Sequence, residues 1–112
     1  MQNENPNAKA SESQCKRILN YLLSGETITP LEALKQFQTM KLATRISELR
    51  SSSDHLFCDI QKVRVKDAKT GKYFDAYYSV SAINEKQGLL FDSEEAAKEY
   101  AFRKTMNRIN NN

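Results

Sequence analysis

Residues 25–51 read GETITPLEALKQFQTMKLATRISELRS, and the order of signals in this stretch decides the fold. Thr29-Pro30-Leu31-Glu32 marks a helix start. The threonine hydroxyl can cap, proline fits the first helical position because it leaves no N–H unpaired, and a glutamate three residues after the cap completes a capping box. The spacing predicts a helix from about Pro30 to Phe37 that buries Leu31, Leu34 and Phe37. A turn at Gln38 and Thr39 follows. Leu42, Ile46 and Leu49, at steps of four and three, then form the apolar stripe of a further helix over Met40 to Ser51. Two short helices joined by a tight turn make a helix-turn-helix.

Upstream, Cys15, Ile18, Leu19, Leu22 and Leu23 gather on one face of a helix spanning Glu12 to Ser24, and Gly25 supplies its left-handed stop. Residues 1–11 lack any large apolar side chain beyond Met1 and read as a disordered arm. Thr27 and Ile28 are too few for a strand of their own, yet suit a short rung added to a sheet built elsewhere. Downstream, Leu56 to Lys66 and Tyr73 to Val80 have strand character. Between them DAKTGK offers turn formers, with Gly71 placed for a positive φ, so the two pair as a hairpin. Lys62, Arg64 and Lys66 alternate with Val63 and Val65, making one face cationic and the other apolar. Cys58 and Ile60 share the parity of the cations, which predicts a bulge or twist there.

After a connector containing Gly88, Asp92 or Ser93 caps a last helix that runs to about Ile109. Glu94/Lys98 and Glu99/Arg103 stand in the favourable i,i+4 orientation. This helix carries two apolar stripes, one of Ala97, Tyr100 and Ala101 and one of Phe102, Met106 and Ile109. A helix lying on a single domain needs one, so Phe102, Met106 and Ile109 offer a homodimer or partner surface.

The order helix, short strand, helix, turn, helix, hairpin is that of a winged helix. Over residues 14–80 the chain resembles the small phage and prophage helix-turn-helix domains, through QCKRILNYLLSGETITPLEAL, KLATRISELR and the hairpin end GKYFDAYYSV. The resemblance implies an α+β fold: a winged helix-turn-helix of three helices plus a β-hairpin wing, here with an additional C-terminal α-helix. The expected organisation is a disordered arm at 1–11, the winged domain at 12–80, a connector and helix at 81–109 and a frayed tail at 110–112. One departure is the end of the third helix, where such domains usually place glycine and this chain has SSSDH; Asp54 is the residue best suited to left-handed geometry there. The segment from Ser81 onward lies outside the resemblance.

With 112 residues, 39% of them hydrophobic, the chain can build one core. Seventeen basic against fourteen acidic residues leave a net charge of +3, so the placement of charge rather than its sum bears on nucleic-acid binding. No apolar run is long enough to span a membrane, and a cytoplasmic location is expected, that of a bacterial host if the chain is phage-encoded. Cys15 and Cys58 show no metal or redox spacing and read as buried thiols. Around His55, the one histidine, no triad or HExxH pattern assembles. Neither catalytic residues, metal, cofactor nor small-molecule substrate is expected.

DNA binding needs cations that track phosphates and a helix that brings donors to base edges. Lys41, Thr44, Ser47 and Glu48 lie opposite the buried stripe of the third helix and Arg45 lies on its flank; together they form the candidate recognition set. Glu48 can accept from a cytosine amino group or stand as a solvated acid, and Arg45 can reach a base or pair with Glu32. Lys62, Arg64, Lys66, Lys69 and Lys72 form a wing for the DNA backbone, although lysines also protect exposed sheet edges. Tyr73, Tyr77 and Tyr78 suit core packing better than base stacking. The leading expectation is a sequence-specific double-stranded DNA-binding protein, a phage or prophage regulator or accessory factor. The alternative is a non-enzymatic phage protein-interaction module, a host-factor binder or virion component, using the same scaffold.

Overall fold

The computed structural model describes residues 6–51, 59–90 and 92–111, with side chains from residue 13 onward. The elements run α1 (Pro6–Leu23), α2 (Pro30–Phe37), α3 (Leu42–Ser51), β1 (Ile60–Lys66), β2 (Tyr73–Ser79), α4 (Val80–Gln87) and α5 (Glu94–Asn110). Helix α1 begins at Pro6 rather than near Glu12. Proline tolerates a first helical turn, and Ala8, Lys9 and Ala10 are good helix formers, so low hydrophobicity did not prevent helix here.

Helix α2 has the bounds its local signals imply. Thr29 caps it in an extended conformation, the Glu32 amide donates to Thr29 Oγ1 at 3.4 Å, and the Thr29 amide donates to Glu32 Oε1 at 3.0 Å. Its buried face is different from the expected one: Ala33 and Phe37 are buried, while Leu31 and Leu34 are 53% and 42% exposed. The small Ala33 allows close approach to the core. Phe37 meets the Tyr21 ring edge-on at 5.6 Å and lies under the Arg17 guanidinium at 5.3 Å. Gln38, at φ 53°, makes the left-handed end of α2, and Thr39 Oγ1 accepts from the Lys41 amide at 3.0 Å to open α3. Gly25 ends α1 at φ 88°.

Among the described residues two apolar clusters hold the chain together, and the hairpin stands between them. The first joins Ile18, Leu19 and Leu22 of α1, Ala33 and Phe37 of α2, Leu42, Ile46 and Leu49 of α3, and Ile28, Ile60 and Tyr77. The second joins Val63, Val65, Ala76 and Tyr78 of the hairpin to Val80 and Ile83 of α4 and Ala97 and Ala101 of α5. Strands β1 and β2 pair antiparallel from Ile60↔Ser79 to Lys66↔Tyr73 without interruption. The expected bulge is therefore absent from Ile60 onward. The parity slip arises because Ile60 packs on the helix-turn-helix core while Val63 and Val65 pack on the opposite side. Cys58, like Leu56, His55 and Asp54, lies outside the described residues. Ile28 and Tyr77 exchange backbone hydrogen bonds of 3.1 and 2.9 Å, the short rung anticipated for that segment.

The segment after Val80 is a helix before it is a connector. Ser79 caps α4 by accepting from the Ala82 amide at 3.2 Å, and Gly88, at φ 70°, closes it. Asn84 is buried there and donates to the Ser93 carbonyl at 2.8 Å, fixing the turn into α5. Ser93 is the N-cap of α5 but makes no side-chain capping bond, leaving Glu94 and Glu95 to favour the helix N-terminus.

Helix α5 is built into the domain. Ala97, Ala101 and Thr105 are buried, and Met106 and Ile109 pack partly buried against the hairpin cluster. Thr105 and Thr27 share a buried hydroxyl–hydroxyl bond of 2.7 Å. Arg108 donates to both carboxylate oxygens of Glu32 and, at 3.1 and 2.9 Å, to the carbonyl and hydroxyl of Thr27. Burial alone would lower the Arg108 pKa, but its bond to and charge attraction for Glu32 outweigh this and hold it above the ordinary value. Lys104 pairs with Glu26 at 3.0 Å. Asn110, assigned from sequence to a frayed tail, instead donates to the Lys66 carbonyl at 3.0 Å and accepts from the Ala68 amide at 2.7 Å. The two apolar stripes of α5 thus merge into one broad buried face, and of Phe102, Met106 and Ile109 it is Phe102, 40% exposed, that remains at the surface.

Replacing Arg108 removes charge-assisted bonds to a half-buried carboxylate and a buried threonine. Arg108→Ala is expected to lower the unfolding free energy by about 2 kcal/mol in urea titration, with Arg108→Lys recovering only part because it cannot bind both oxygens in the same plane. An Arg108→Ala unfolding curve superimposable on that of the wild type would remove the anchoring role.

Candidate nucleic-acid interface

The outward face of α3 is narrower than its helical projection suggests. Lys41, Ala43, Thr44 and Ser47 are exposed, whereas Arg45 is drawn back toward α1. Its Nε donates to Gln14 Oε1 at 3.1 Å and its Nη1 to Glu48 Oε1 at 3.0 Å. The same Glu48 oxygen accepts from the Cys15 thiol at 3.2 Å. Arg45 therefore pairs with Glu48 rather than with Glu32, which Arg108 occupies. Gln14 also donates to the Phe37 carbonyl at 3.2 Å, and Arg17 to the Gln36 carbonyl at 3.4 Å. Carbonyls at the end of α2, which have no partner within their helix, are thereby satisfied by α1, and the angle between α2 and α3 is fixed.

Arg50 performs the equivalent task between α3 and the hairpin. Its Nε and Nη2 donate to the Ile60 carbonyl at 3.1 and 2.9 Å, and its guanidinium lies 6.0 Å from the Tyr77 ring centre. The start of β1 is thus tied to the last turn of the recognition-helix candidate.

Alternation along the strands then places the cations. Ile60, Lys62, Arg64 and Lys66 lie on one face of β1, with Tyr77, Asp75 and Tyr73 beside them on β2. Ile60 and Tyr77 of this face belong to the α1–α3 core, while the reverse face is under α4 and α5. The cationic residues consequently continue the side of the domain to which α3 belongs. Asp75 lies 3.5 Å from Lys62 and 3.4 Å from Arg64, and the Lys66 ammonium sits 5.6 Å from the Tyr73 ring centre.

Lys69 and Lys72 are exposed at the turn. There Asp67 Oδ1 accepts from the Lys69 and Thr70 amides at 2.8 and 3.3 Å, and Gly71 adopts φ 74°. Tyr77 and Tyr78 are buried, as core packing requires, and Tyr73 is exposed. Burial, then the nearby Glu94 charge, pushes the Tyr78 phenol pKa up.

Along β1 a groove of about 840 Å³ separates the strand from α5, and its charged lining is mixed: Lys62, Arg64 and Lys98 together with Glu94, Glu95 and Glu99. Among the described residues no three His, Cys, Asp or Glu side chains are grouped to hold a metal ion, and no helix is long and apolar enough to cross a membrane.

A capped short helix, a left-handed turn, a second helix with a polar outer face and a hairpin docked beside it settle the architecture. This is a winged helix-turn-helix fold. Residues 13–56 match the model of a family described as a winged helix-turn-helix domain, a span that takes in most of α1 and all of α2 and α3. No curated protein and no solved structure matches the chain. Domains of this kind bind DNA in general, through the second helix of the motif. The winged helix here departs from its sequence reading at Arg45 and Glu48, whose mutual pairing has a visible signal in their i,i+3 spacing; Arg50, to which that reading gives no role, is a strut to a strand ten residues further on.

Because Arg50 bonds a backbone carbonyl at the root of the hairpin, its loss acts on the position of the wing. Arg50→Ala is expected to cost about 1 kcal/mol in urea unfolding and to speed amide exchange along β1. Unchanged exchange at β1 would mean that the strand is held without it.

Proposed function

We propose that this chain binds double-stranded DNA at preferred sequences, as a regulator or accessory factor of a phage or prophage, with α3 in the major groove and the hairpin on the flanking backbone. The observation that carries this reading is the continuity of the cationic hairpin face with the α3 side of the domain, enforced by Ile60 and Tyr77 on one face and α5 on the other. Lys41, Thr44 and Ser47 meet base edges. Arg45 and Glu48, engaged with each other and with α1, set the shape of the helix surface, and reach a base only by exchanging those partners. Lys62, Arg64, Lys66, Lys69 and Lys72 meet phosphates, and the mechanism is occupancy without turnover.

A homodimer through α5 is not part of this reading. Met106 and Ile109 are taken up by the hairpin, and Phe102 falls far short of the roughly 800 Å² per partner of a stable interface. Each chain then serves one major-groove segment.

Fluorescence anisotropy with a random duplex pool and with the best duplex selected from it, over a salt series, tests the assignment. Lys62→Ala/Arg64→Ala/Lys69→Ala is expected to weaken binding to every sequence and to flatten the slope of log K against log salt by about 2 to 3. Lys41→Ala/Thr44→Ala is expected to erode the preference for the selected site by roughly tenfold or more while leaving the salt slope nearly intact. Absence of duplex binding by the wild type at low salt would refute the assignment.

A further inference from the structure

We propose that Asp75 limits the grip of the wing on DNA by competing with phosphate for Lys62 and Arg64, an inference that rests on the DNA-binding reading above. Of the hairpin residues on the cationic face, Asp75 is the one acid. It stands directly across from Arg64 in the strand register and diagonally from Lys62, and its two carboxylate oxygens divide between them: Oδ2 faces the Lys62 ammonium at 3.5 Å and Oδ1 faces Arg64 Nε at 3.4 Å. The carboxylate is therefore shared by the two cations at the centre of the wing.

Two roles are open to such a carboxylate, and they have opposite signs. A clamp would hold the cations in the geometry that phosphate needs, so that losing it weakens DNA binding. A competitor would lower the positive potential that phosphate meets, so that losing it strengthens binding. Geometry decides for the competitor. Contacts of 3.4 and 3.5 Å are looser than the 2.7–2.9 Å of a tight charge-assisted bond, and the Lys62 and Arg64 side chains remain 55% and 64% exposed. Pairs this open fix little, because water competes for both partners and the long side chains keep their rotational freedom.

The negative charge, by contrast, persists when the cations swing to DNA. It then lies within a few ångströms of the incoming phosphates, well inside the screening length at physiological salt. Asp75 thereby reduces the sequence-independent part of the affinity and leaves a larger share of the total to α3. That balance favours selection of a site over retention on arbitrary duplex.

The test measures anisotropy of a labelled random-sequence duplex over a salt series for the wild type, Asp75→Asn, Lys62→Ala/Arg64→Ala and the triple variant, with Asp75→Ser as a second neutral replacement. Thermal melting of each protein accompanies the binding curves. Asp75→Asn and Asp75→Ser are expected to bind roughly three- to tenfold more tightly at low salt, with a salt slope steeper by about one, and the gain should shrink when Lys62 and Arg64 are absent, leaving the part due to direct repulsion of phosphate. A merely structural cross-strand pair would shift melting and leave the slope alone, which overturns the proposal. Weaker binding by the Asp75 variants, with the Lys62/Arg64 double also weakened, means a clamp and overturns the proposal while sparing the DNA-binding assignment. Failure of every protein, wild type included, to bind duplex overturns both.

Discussion

The carboxylate of Glu32 is the point on which the parts of this domain converge. Through Oε1 it closes the capping box at the start of α2, and with both oxygens it receives Arg108 from the far end of the chain, while Arg108 also holds Thr27 beside the Ile28 rung. One side chain thus fixes the start of a helix, orients the helix-turn-helix and anchors α5. A partly buried charge pair is stabilising only where its remaining hydrogen-bonding capacity is met, and here the Thr29 amide and the Thr27 carbonyl and hydroxyl meet it. With α5 fixed at this end, and Asn110 fixed to the base of the hairpin turn, the apolar face of the wing is covered along its length.

That cover decides the electrostatics. A two-stranded sheet has two faces, and in a bare wing either is open to a partner. Here α5 takes the face of Val63, Val65 and Tyr78, so the face of Lys62, Arg64 and Lys66 is the one presented beside α3. A modest net charge of +3 therefore says little about where the cations are gathered.

Local signals made the helix-turn-helix legible in the sequence. Thr29, Pro30 and Glu32 fix the start of α2 without reference to the rest of the fold, Gln38 and Thr39 mark the turn, and strand alternation separates Lys62, Arg64 and Lys66 from Val63 and Val65. Several of the misreadings share a cause, a partner distant in sequence. Hydrophobicity favours Leu31 and Leu34 over Ala33, but it is the small residue that the core takes in. Helix α4 starts at a serine with no acid at its third position, and Val80 and Ile83 read equally well as strand. Thr105 and Arg108 look like breaks in an apolar stripe until Thr27 and Glu32 are placed against them. For the candidate interface, the positions of the cations were legible, whereas the withdrawal of Arg45 and Glu48 depends on Gln14 and Cys15, some thirty residues upstream.

The anchoring of α5 also sets an order of assembly. Its bonds to Thr27 and Glu32 join residues 76 to 81 positions apart, whereas the contacts that shape α1, α2 and α3 are far more local. Closing loops of that length costs chain entropy before any contact offsets it, so the three-helix core forms early and the sheet gains its second layer last. During synthesis, the apolar side of the wing stays open to solvent until the final helix has emerged. A nascent chain stalled short of Arg108 would expose Val63, Val65, Ala76 and Tyr78 together, the kind of contiguous apolar strand surface that chaperones hold and that aggregates seed upon.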